Sequence, residues 1–251
     1  MKYQSVWIVL LFISATASAN IFVKDDRTVV GDKSLAPFSS IGRLVNTVDG
    51  SAGTGFLVSR CHILTNYHVA FSNEKAPDPR EVSRFILDQE ATSKAVPVLY
   101  GKYYSGEEFN NMEDWAILKL ENCLGDSHGW LKLAVVELSK VANLSAPLAL
   151  AGYPADRDTR FLTLDPDCRV YAQEKKGSPG WGHDCASREG TSGGPIMANL
   201  DGQIVVVALN SVERGTFEEL IQFYATALGN GSVPIGAFLS RIEGVLRSDQ
   251  K

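Results

Sequence analysis

Short apolar runs separated by turn-forming residues are the feature that most limits the folds open to this chain. From Phe38 onward, β-branched and apolar residues occur in short stretches, and Gly, Pro, Asn and Asp stand between them. This pattern is typical of an antiparallel barrel or sandwich, because each apolar run suits one strand and each group of turn-forming residues suits one turn. The predicted strands of the first half are Ile41–Val48, Gly55–Val58, His62–Thr65, Ala95–Tyr100 and Trp115–Leu120. Those of the second half are Ala146–Gly152, Phe161–Leu164, Arg169–Ala172, Gly194–Met197, Gln203–Leu209 and Gln222–Leu228.

Two further segments have helical patterns. Asp78 and Pro79 offer an N-cap and a first-turn proline, and the apolar residues that follow, up to Ile86, predict a short helix. The tail over about 235–247 predicts a C-terminal helix, because its apolar residues fall on one face. These residues are Phe238, Leu239, Ile242, Val245 and Leu246. We interpret both helices as packing elements.

The N-terminus has the pattern of a secretory signal peptide over residues 1–19. Lys2 precedes an apolar stretch, and the small residues Ala17 to Ala19 follow it. A membrane anchor is the alternative, but the apolar stretch is shorter than the ~20 residues that a spanning helix needs. We therefore expect a secreted or periplasmic protein without a membrane span. Residues 20–36 form a polar lead-in, which is either a propeptide or a strand wrapped over the second half of the domain, and residues 37–251 form the functional domain.

Charge and cysteine content exclude several classes of function. The chain has 24 Lys and Arg against 29 Asp and Glu, a formal net charge of −5, without a long basic run. Nucleic acids are therefore not expected partners. Four cysteines in an exported chain predict two disulfides, whose pairing the spacing leaves open. No C-x-x-C pair occurs, so neither a zinc site nor any other metal is expected.

The segment Gly190–Pro195 is the strongest local signal for catalysis. It places Ser192 among glycines, and a serine nucleophile needs both an adjacent base and a backbone that exposes its oxygen. In such a loop the N–H groups of Gly190 and Ser192 would form an oxyanion hole. A glycine-rich turn without function is the alternative interpretation of the segment alone.

Two more segments complete a possible catalytic set. His68 follows an apolar strand, and histidine can accept and return a proton near neutral pH. Asp114 opens a second apolar run, where a carboxylate needs a partner such as a histidine N–H. Glu113 is the alternative carboxylate. The other histidines are interpreted as structural or solvated; they are His62, His128 and His183.

The three segments, in the order histidine, aspartate, serine, resemble the trypsin-like serine protease family. The resemblance covers Thr65–His68, Asp114–Leu118 and Gly190–Pro195, with the strand Gly53–Val58 in support. It implies an all-β fold of two six-stranded antiparallel β-barrels, about 37–135 and about 146–234, followed by the C-terminal helix. It also implies a His68, Asp114 and Ser192 triad with no cofactor. By the same resemblance, Cys61 pairs with Cys123 and Cys168 with Cys185.

Within the family, the chain is more similar to the bacterial glutamyl-endopeptidase-like branch than to digestive trypsin. The resemblance assigns Ala186, Ala208 and Asn210 to the specificity pocket. Ala186 stands where cleavage after Arg or Lys needs a carboxylate, and Ala208 where glutamyl endopeptidases have a histidine. These positions imply a small or apolar residue before the scissile bond. Ala208 also stands where many members have a serine that supports the catalytic aspartate.

The resemblance implies a serine endopeptidase, a monomer acting on proteins or peptides through an acyl-enzyme. Digestive members are activated when a freed N-terminal amine pairs with an aspartate before the nucleophile, but Thr191 stands there. We therefore expect an oxyanion hole that forms without this switch. A protease-like binding protein with weak catalysis is the alternative. A periplasmic protease-chaperone ranks below both, because little sequence follows the last helix.

Overall fold

The computed structural model of the protein describes most of the chain. The described residues are 25–105, 108–144, 146–172, 180–211 and 230–249. Two sequence predictions lie outside them, namely the signal peptide over residues 1–19 and the strand Gln222–Leu228.

The regular elements are mainly strands. Up to residue 120 the strands are β1 (Thr28–Val29), β2 (Ile41–Asn46), β3 (Ala52–Leu57), β4 (His62–Thr65), β5 (Ser83–Ile86), β6 (Thr92–Tyr100), β7 (Tyr104–Ser105), β8 (Glu108–Phe109) and β9 (Ala116–Leu120). Beyond it they are β10 (Lys132–Leu133), β11 (Leu148–Gly152), β12 (Thr163–Cys168), β13 (Val170–Ala172), β14 (Trp181–His183), β15 (Pro195–Leu200), β16 (Gln203–Asn210) and β17 (Asn230–Pro234). The α-helices are α1 (Tyr67–Ala70), α2 (Gly125–His128), α3 (Leu138–Ala142) and α4 (Leu239–Ser248). Short 3₁₀ helices cover Phe38–Ser40, Asn111–Glu113 and Ile235–Ala237.

The first half is a closed six-stranded barrel in the order β2, β3, β4, β9, β6, β5. Alternate residues of its strands point inward and form one apolar core, because successive side chains of a strand face opposite sides. Leu44, Ile63 and Phe85 are fully buried in this core. At Gly42, an added Cβ would lie 2.5 Å from the Phe85 ring, so only glycine lets β2 approach β5 closely enough to close the barrel.

The helix predicted after Pro79 is wrong, because Ser83–Ile86 is strand β5. Ser83 and Phe85 are buried and Arg84 is exposed, which is the alternation of a strand. The capping residue Asp78 accepts a hydrogen bond from Arg80 N at 2.9 Å, but it supports a turn and not a helix. Pairing with β2 and β6 closes the barrel, and these sheet hydrogen bonds outweigh the local helical signal.

The second half is a nine-stranded sheet. Its order is β1, β12, β11, β15, β16, β17, β14, β13, and β10 pairs with β16 in parallel. The all-β prediction with a C-terminal helix is confirmed. Among the described residues, however, only the first half forms a closed ring of six strands. Strand β1 comes from the predicted lead-in and pairs antiparallel with β12, with Thr28 opposite Leu164.

Two disulfides tie the chain together. Cys61 is bonded to Cys123, beside strand β4 of the barrel. Cys168 is bonded to Cys185, and this bridge joins the end of β12 to the segment just before Ala186. The connectivity is the one that the family resemblance implied.

The C-terminal helix packs where the two halves meet. The ring of Phe238 stacks on Trp115 with 5.0 Å between ring centroids. The guanidinium carbon of Arg241 lies 4.5 Å from the centroid of the Trp115 ring. Ile242 is fully buried in the same cluster, which also holds Phe56 from the barrel. This cluster therefore joins both halves of the protein. No helix in the described ranges is long and apolar enough to cross a membrane.

Candidate active site

The three predicted triad residues lie in segments at the ends of strands. His68 is in α1, which follows β4 of the barrel, and Asp114 precedes β9 of the same barrel. Ser192 lies in the loop that leads into β15 of the second sheet. The barrel thus supplies two of the residues and the sheet supplies the third.

His68 and Asp114 are in direct contact. His68 Nδ1 lies 2.9 Å from Asp114 Oδ2 and 3.1 Å from Oδ1, and the His68 backbone N–H donates to Oδ1 at 3.1 Å. Asp114 is fully buried, whereas the His68 side chain is 23% exposed. A buried carboxylate is costly unless it is hydrogen-bonded, and these contacts meet that need. They also fix the direction in which the imidazole points.

Glu113, the alternative carboxylate, lies elsewhere. Both of its oxygens accept hydrogen bonds from Arg241 Nη1 at 2.8 Å, and one accepts the Lys102 N–H at 2.7 Å. Its carboxylate is therefore engaged with the C-terminal helix and not with His68.

Ser211 is a site residue that the sequence interpretation missed. Its hydroxyl donates a short hydrogen bond to Asp114 Oδ2, and the side chain is buried. The interpretation that Ala208 takes the supporting position is therefore wrong by three residues. A signal was present, because Ser211 is a polar residue that directly follows the last residue of β16.

The backbone around Ser192 is held from both halves of the protein. The Ser192 hydroxyl donates to the Ser211 carbonyl oxygen at 3.2 Å, and the Ser192 carbonyl oxygen accepts the Thr54 N–H at 2.8 Å. Gly193 has φ +81°, and its Cβ, if present, would lie 2.2 Å from the Thr54 carbonyl oxygen. Glycine is thus required at this position by both dihedral angle and space.

The N–H groups expected to form an oxyanion hole have no acceptor within the part of the chain that is described. The N–H groups of the neighbouring residues do have acceptors: Thr191 donates to Arg188 O at 2.8 Å, and Gly193 donates to Asn210 O at 2.9 Å. Gly190 has φ +90° and Ser192 follows two residues later, so both free N–H groups belong to one tight turn. Free, oriented N–H groups of this kind can stabilise a developing negative charge.

The three residues assigned to the specificity pocket have different environments. Ala186 is buried and donates its N–H to Asp165 Oδ2 at 2.5 Å. Ala208 is fully buried in an apolar cluster opposite Ile196, so it contacts the core of the sheet. Asn210 directly precedes Ser211 and donates from Nδ2 to Ser187 Oγ at 3.0 Å. Ser187, which the sequence places beside Ala186 in the pocket wall, therefore joins Asn210 in a buried polar pair.

His183 lies behind this polar pair and is fully buried. Burial lowers its pKa to about 4, although the side chain of Asn210 and the backbone of Gly231 lie close to the ring and oppose the shift. The imidazole is therefore neutral at neutral pH. Nearer to His68, burial raises the pKa of Glu74, and the charge on His68 opposes that shift.

The remaining histidines are distant from these groups. His62 Nδ1 lies 2.7 Å from Asp249 Oδ2, and this contact attaches the end of the C-terminal helix to the barrel. His128 Nδ1 lies 3.1 Å from the Leu124 carbonyl oxygen. In the described ranges, no group of three His, Cys, Asp or Glu side chains is arranged to hold a metal ion.

Comparisons with known proteins find one matching family and several similar folds. The family model of the trypsin-like peptidase domain matches residues 53–209. A solved Glu endopeptidase in complex with MPD is similar, with a TM-score of 0.63 and 18% identity, over 91% of this chain and 100% of that chain.

Two other solved structures are similar to the chain. The protease Anisep from Arthrobacter nicotinovorans has a TM-score of 0.54 and 16% identity, over 80% of this chain and 89% of its own. The thermostable serine protease AL20 from an extremophilic microorganism has a TM-score of 0.56 and 16% identity, over 78% and 90%. At these identities the likeness concerns the fold. Among curated protein sequences, none matches the chain.

Proposed function

The chain belongs to the family of trypsin-like peptidase domains, and from this premise we propose that it is a serine endopeptidase with Ser192 as nucleophile. His68 acts as general base and acid, and Asp114 orients it. The observation that carries the proposal is the contact of 2.9 Å between His68 Nδ1 and the buried carboxylate of Asp114. This contact keeps the proton on Nδ1, so that Nε2 is the ring nitrogen that accepts another.

Acylation begins when the Ser192 hydroxyl oxygen attacks the carbonyl carbon of the scissile peptide bond. The hydroxyl proton passes to His68 Nε2, and the carbonyl oxygen becomes negatively charged. The N–H groups of Gly190 and Ser192 donate to this oxygen. When the tetrahedral species collapses, the C–N bond breaks and the amine leaves with the proton from His68. The substrate acyl group remains on Ser192 as an ester.

Deacylation repeats these steps with water. His68 takes a proton from the water, and the resulting hydroxide attacks the ester carbonyl. The C–O bond to Ser192 breaks, the serine recovers its proton from His68, and a carboxylic acid is released. Ser211 stabilises the charged Asp114 throughout, because its hydroxyl donates to the carboxylate.

We also propose that the protein is exported, with the signal peptide removed after Ala19. The two disulfides support this proposal, because such bridges persist in oxidising compartments. Its substrates are proteins or peptides, and it acts as a monomer. Mass spectrometry of the exported protein tests the cleavage site, and a mature form that still carries residues 1–19 would contradict it.

A fluorophosphonate probe tests the nucleophile. Native protein should be labelled on Ser192, and Ser192→Ala should abolish both labelling and peptide hydrolysis without loss of folding, since one hydroxyl is removed and no core cavity forms. Ser127→Ala, which removes an exposed hydroxyl far from the site, is the matched control. Hydrolysis by Ser192→Ala near the parent rate would refute the assignment. A folded parent that neither reacts nor hydrolyses peptides would favour a binding protein instead.

A further inference from the structure

Arg27 is an almost completely buried cation in the lead-in segment. It is 5% exposed, and its guanidinium makes bidentate contacts with two carboxylates. Nε and Nη2 donate to Asp25 at 2.8 and 3.0 Å, while Nη1 and Nη2 donate to Asp156 at 3.0 and 2.7 Å. A buried charge persists in a folded protein only when it is paired in this way. The planar fork of arginine suits two such pairs, whereas the point charge of lysine does not.

Arg157 completes the network from the other side. It donates to the Arg27 carbonyl oxygen at 2.8 Å and to Asp25 Oδ2 at 3.0 Å. The hydrogen bonds from the two arginines hold the pKa of Asp25 well below its usual range. The network therefore fixes the lead-in segment, including β1, against the segment that contains Asp156.

The segment next to Asp156 contacts the loop with the free N–H groups. Ala155 N–H donates to the Glu189 carbonyl oxygen at 2.7 Å. A trans peptide is planar, with its C=O and N–H pointing in opposite directions. Holding the Glu189 oxygen towards Ala155 therefore directs the Gly190 N–H away from Ala155. The orientation of one oxyanion-hole donor thus depends on the position of Ala155.

Two further contacts tie the same parts together. Arg188, two residues before Gly190, lies with Nε 3.7 Å from Asp156 Oδ2. Gly190 itself is packed so tightly that an added Cβ would lie 2.4 Å from the Tyr153 carbonyl oxygen. The segment 153–157 therefore supports the whole turn, and Asp156 is its charged anchor.

We infer that Arg27 is a positioning residue for catalysis, which acts through Asp156 and Ala155 to hold the Gly190 N–H in the oxyanion hole. The inference rests on the proposed function. It also assigns a role to the lead-in: residues from Asp25 onward belong to the working enzyme and are not a disposable propeptide. Thr191 has no carboxylate that could pair with a terminal amine. In this inference the guanidinium of Arg27 orders the loop instead, through its contact with Asp156.

The test compares Arg27→Met and Asp156→Asn with the parent enzyme. Loss of one oxyanion-hole donor lowers kcat by roughly 10²–10³. Both variants displace such a donor without removing it, so each should lower kcat by roughly tenfold or more and leave KM within about threefold of the parent value. Affinity for a peptide boronate should fall by a similar factor, because its adduct with Ser192 places an oxygen in the hole. Arg27→Lys should recover only part of kcat. Circular dichroism and urea unfolding report whether each variant is folded.

Arg160→Met is the matched control. Arg160 pairs with Asp158 in the neighbouring loop but is largely exposed, so its loss should leave kcat and boronate affinity unchanged. Parent-like kcat and boronate affinity in folded Arg27→Met would overturn the inference. If Arg27→Met does not fold, parent-like values in Asp156→Asn would overturn it equally. A parent that neither hydrolyses peptides nor binds the boronate overturns the proposed function, and this inference with it.

Discussion

Acidification should destabilise the folded protein through His183. The side chain is fully buried in β14, and burial lowers its pKa to about 4. In the unfolded chain the same group titrates near the ordinary value of about 6.5. Between these values the unfolded state binds a proton that the folded state does not, so stability falls as the pH decreases. The contribution of His183 to the free energy of unfolding is nearly constant above pH 7.

The size of the effect follows from the two pKa values. A difference of one pKa unit corresponds to about 1.4 kcal/mol, so the shift at His183 corresponds to a loss of about 3 kcal/mol between pH 7 and pH 4. Other groups titrate in the same range, and only a difference between variants isolates this contribution. His183→Gln keeps a polar side chain but removes the titration. Between pH 7 and pH 4 its free energy of unfolding should therefore fall by about 3 kcal/mol less than that of the parent.

The assay is urea unfolding at pH 7, 5.5 and 4, with all variants in a Ser192→Ala background to prevent self-digestion. His128→Gln, which changes a partly exposed histidine, is the control and should follow the parent. Parallel pH profiles for the parent and His183→Gln would refute the reasoning, because they would mean that His183 titrates alike in the folded and unfolded states.

Three substitutions around the site have distinct expected outcomes. Asp114→Asn should lower kcat by about 10⁴, because it favours the wrong histidine tautomer, whereas Glu113→Gln should retain most activity; the reverse order would contradict the choice of carboxylate. Ser211→Ala should lower kcat by about 10- to 100-fold, because a hydrogen bond to a charged group contributes about 1.5–3 kcal/mol; an unchanged kcat would show that Asp114 does not need this donor. Gly193→Ala should lower kcat at least about 100-fold, since its Cβ would meet a backbone oxygen at 2.2 Å, while Gly202→Ala has φ +82° in open space and should remain active. Equal activity of these two variants in a peptide hydrolysis assay would contradict the steric argument.

Sequence alone was sufficient for the fold class and for the pairing of His68 with Asp114. Short apolar runs bounded by turn-forming residues suit single strands, so runs such as His62–Thr65 could be located without a structure. The dihedral requirement for glycine beside Ser192, with φ +81° at Gly193, is likewise local, because it arises from the backbone of one turn. The amphipathic pattern at the C-terminus also predicted helix α4, with Ile242 on its buried face.

Tertiary structure decided the features that depend on residues far apart in the chain. Strand β5 formed where a capping signal predicted a helix, because closing the barrel required pairs for both neighbouring strands. Ser211 reached Asp114 across 97 positions, and Arg27 reached Asp156 across 129. Each of these contacts depends on how the barrel and the sheet pack, and a hydrogen bond is lost with a displacement of about 1 Å. Sequence patterns report which face of an element is buried, but not which distant side chain lies opposite it.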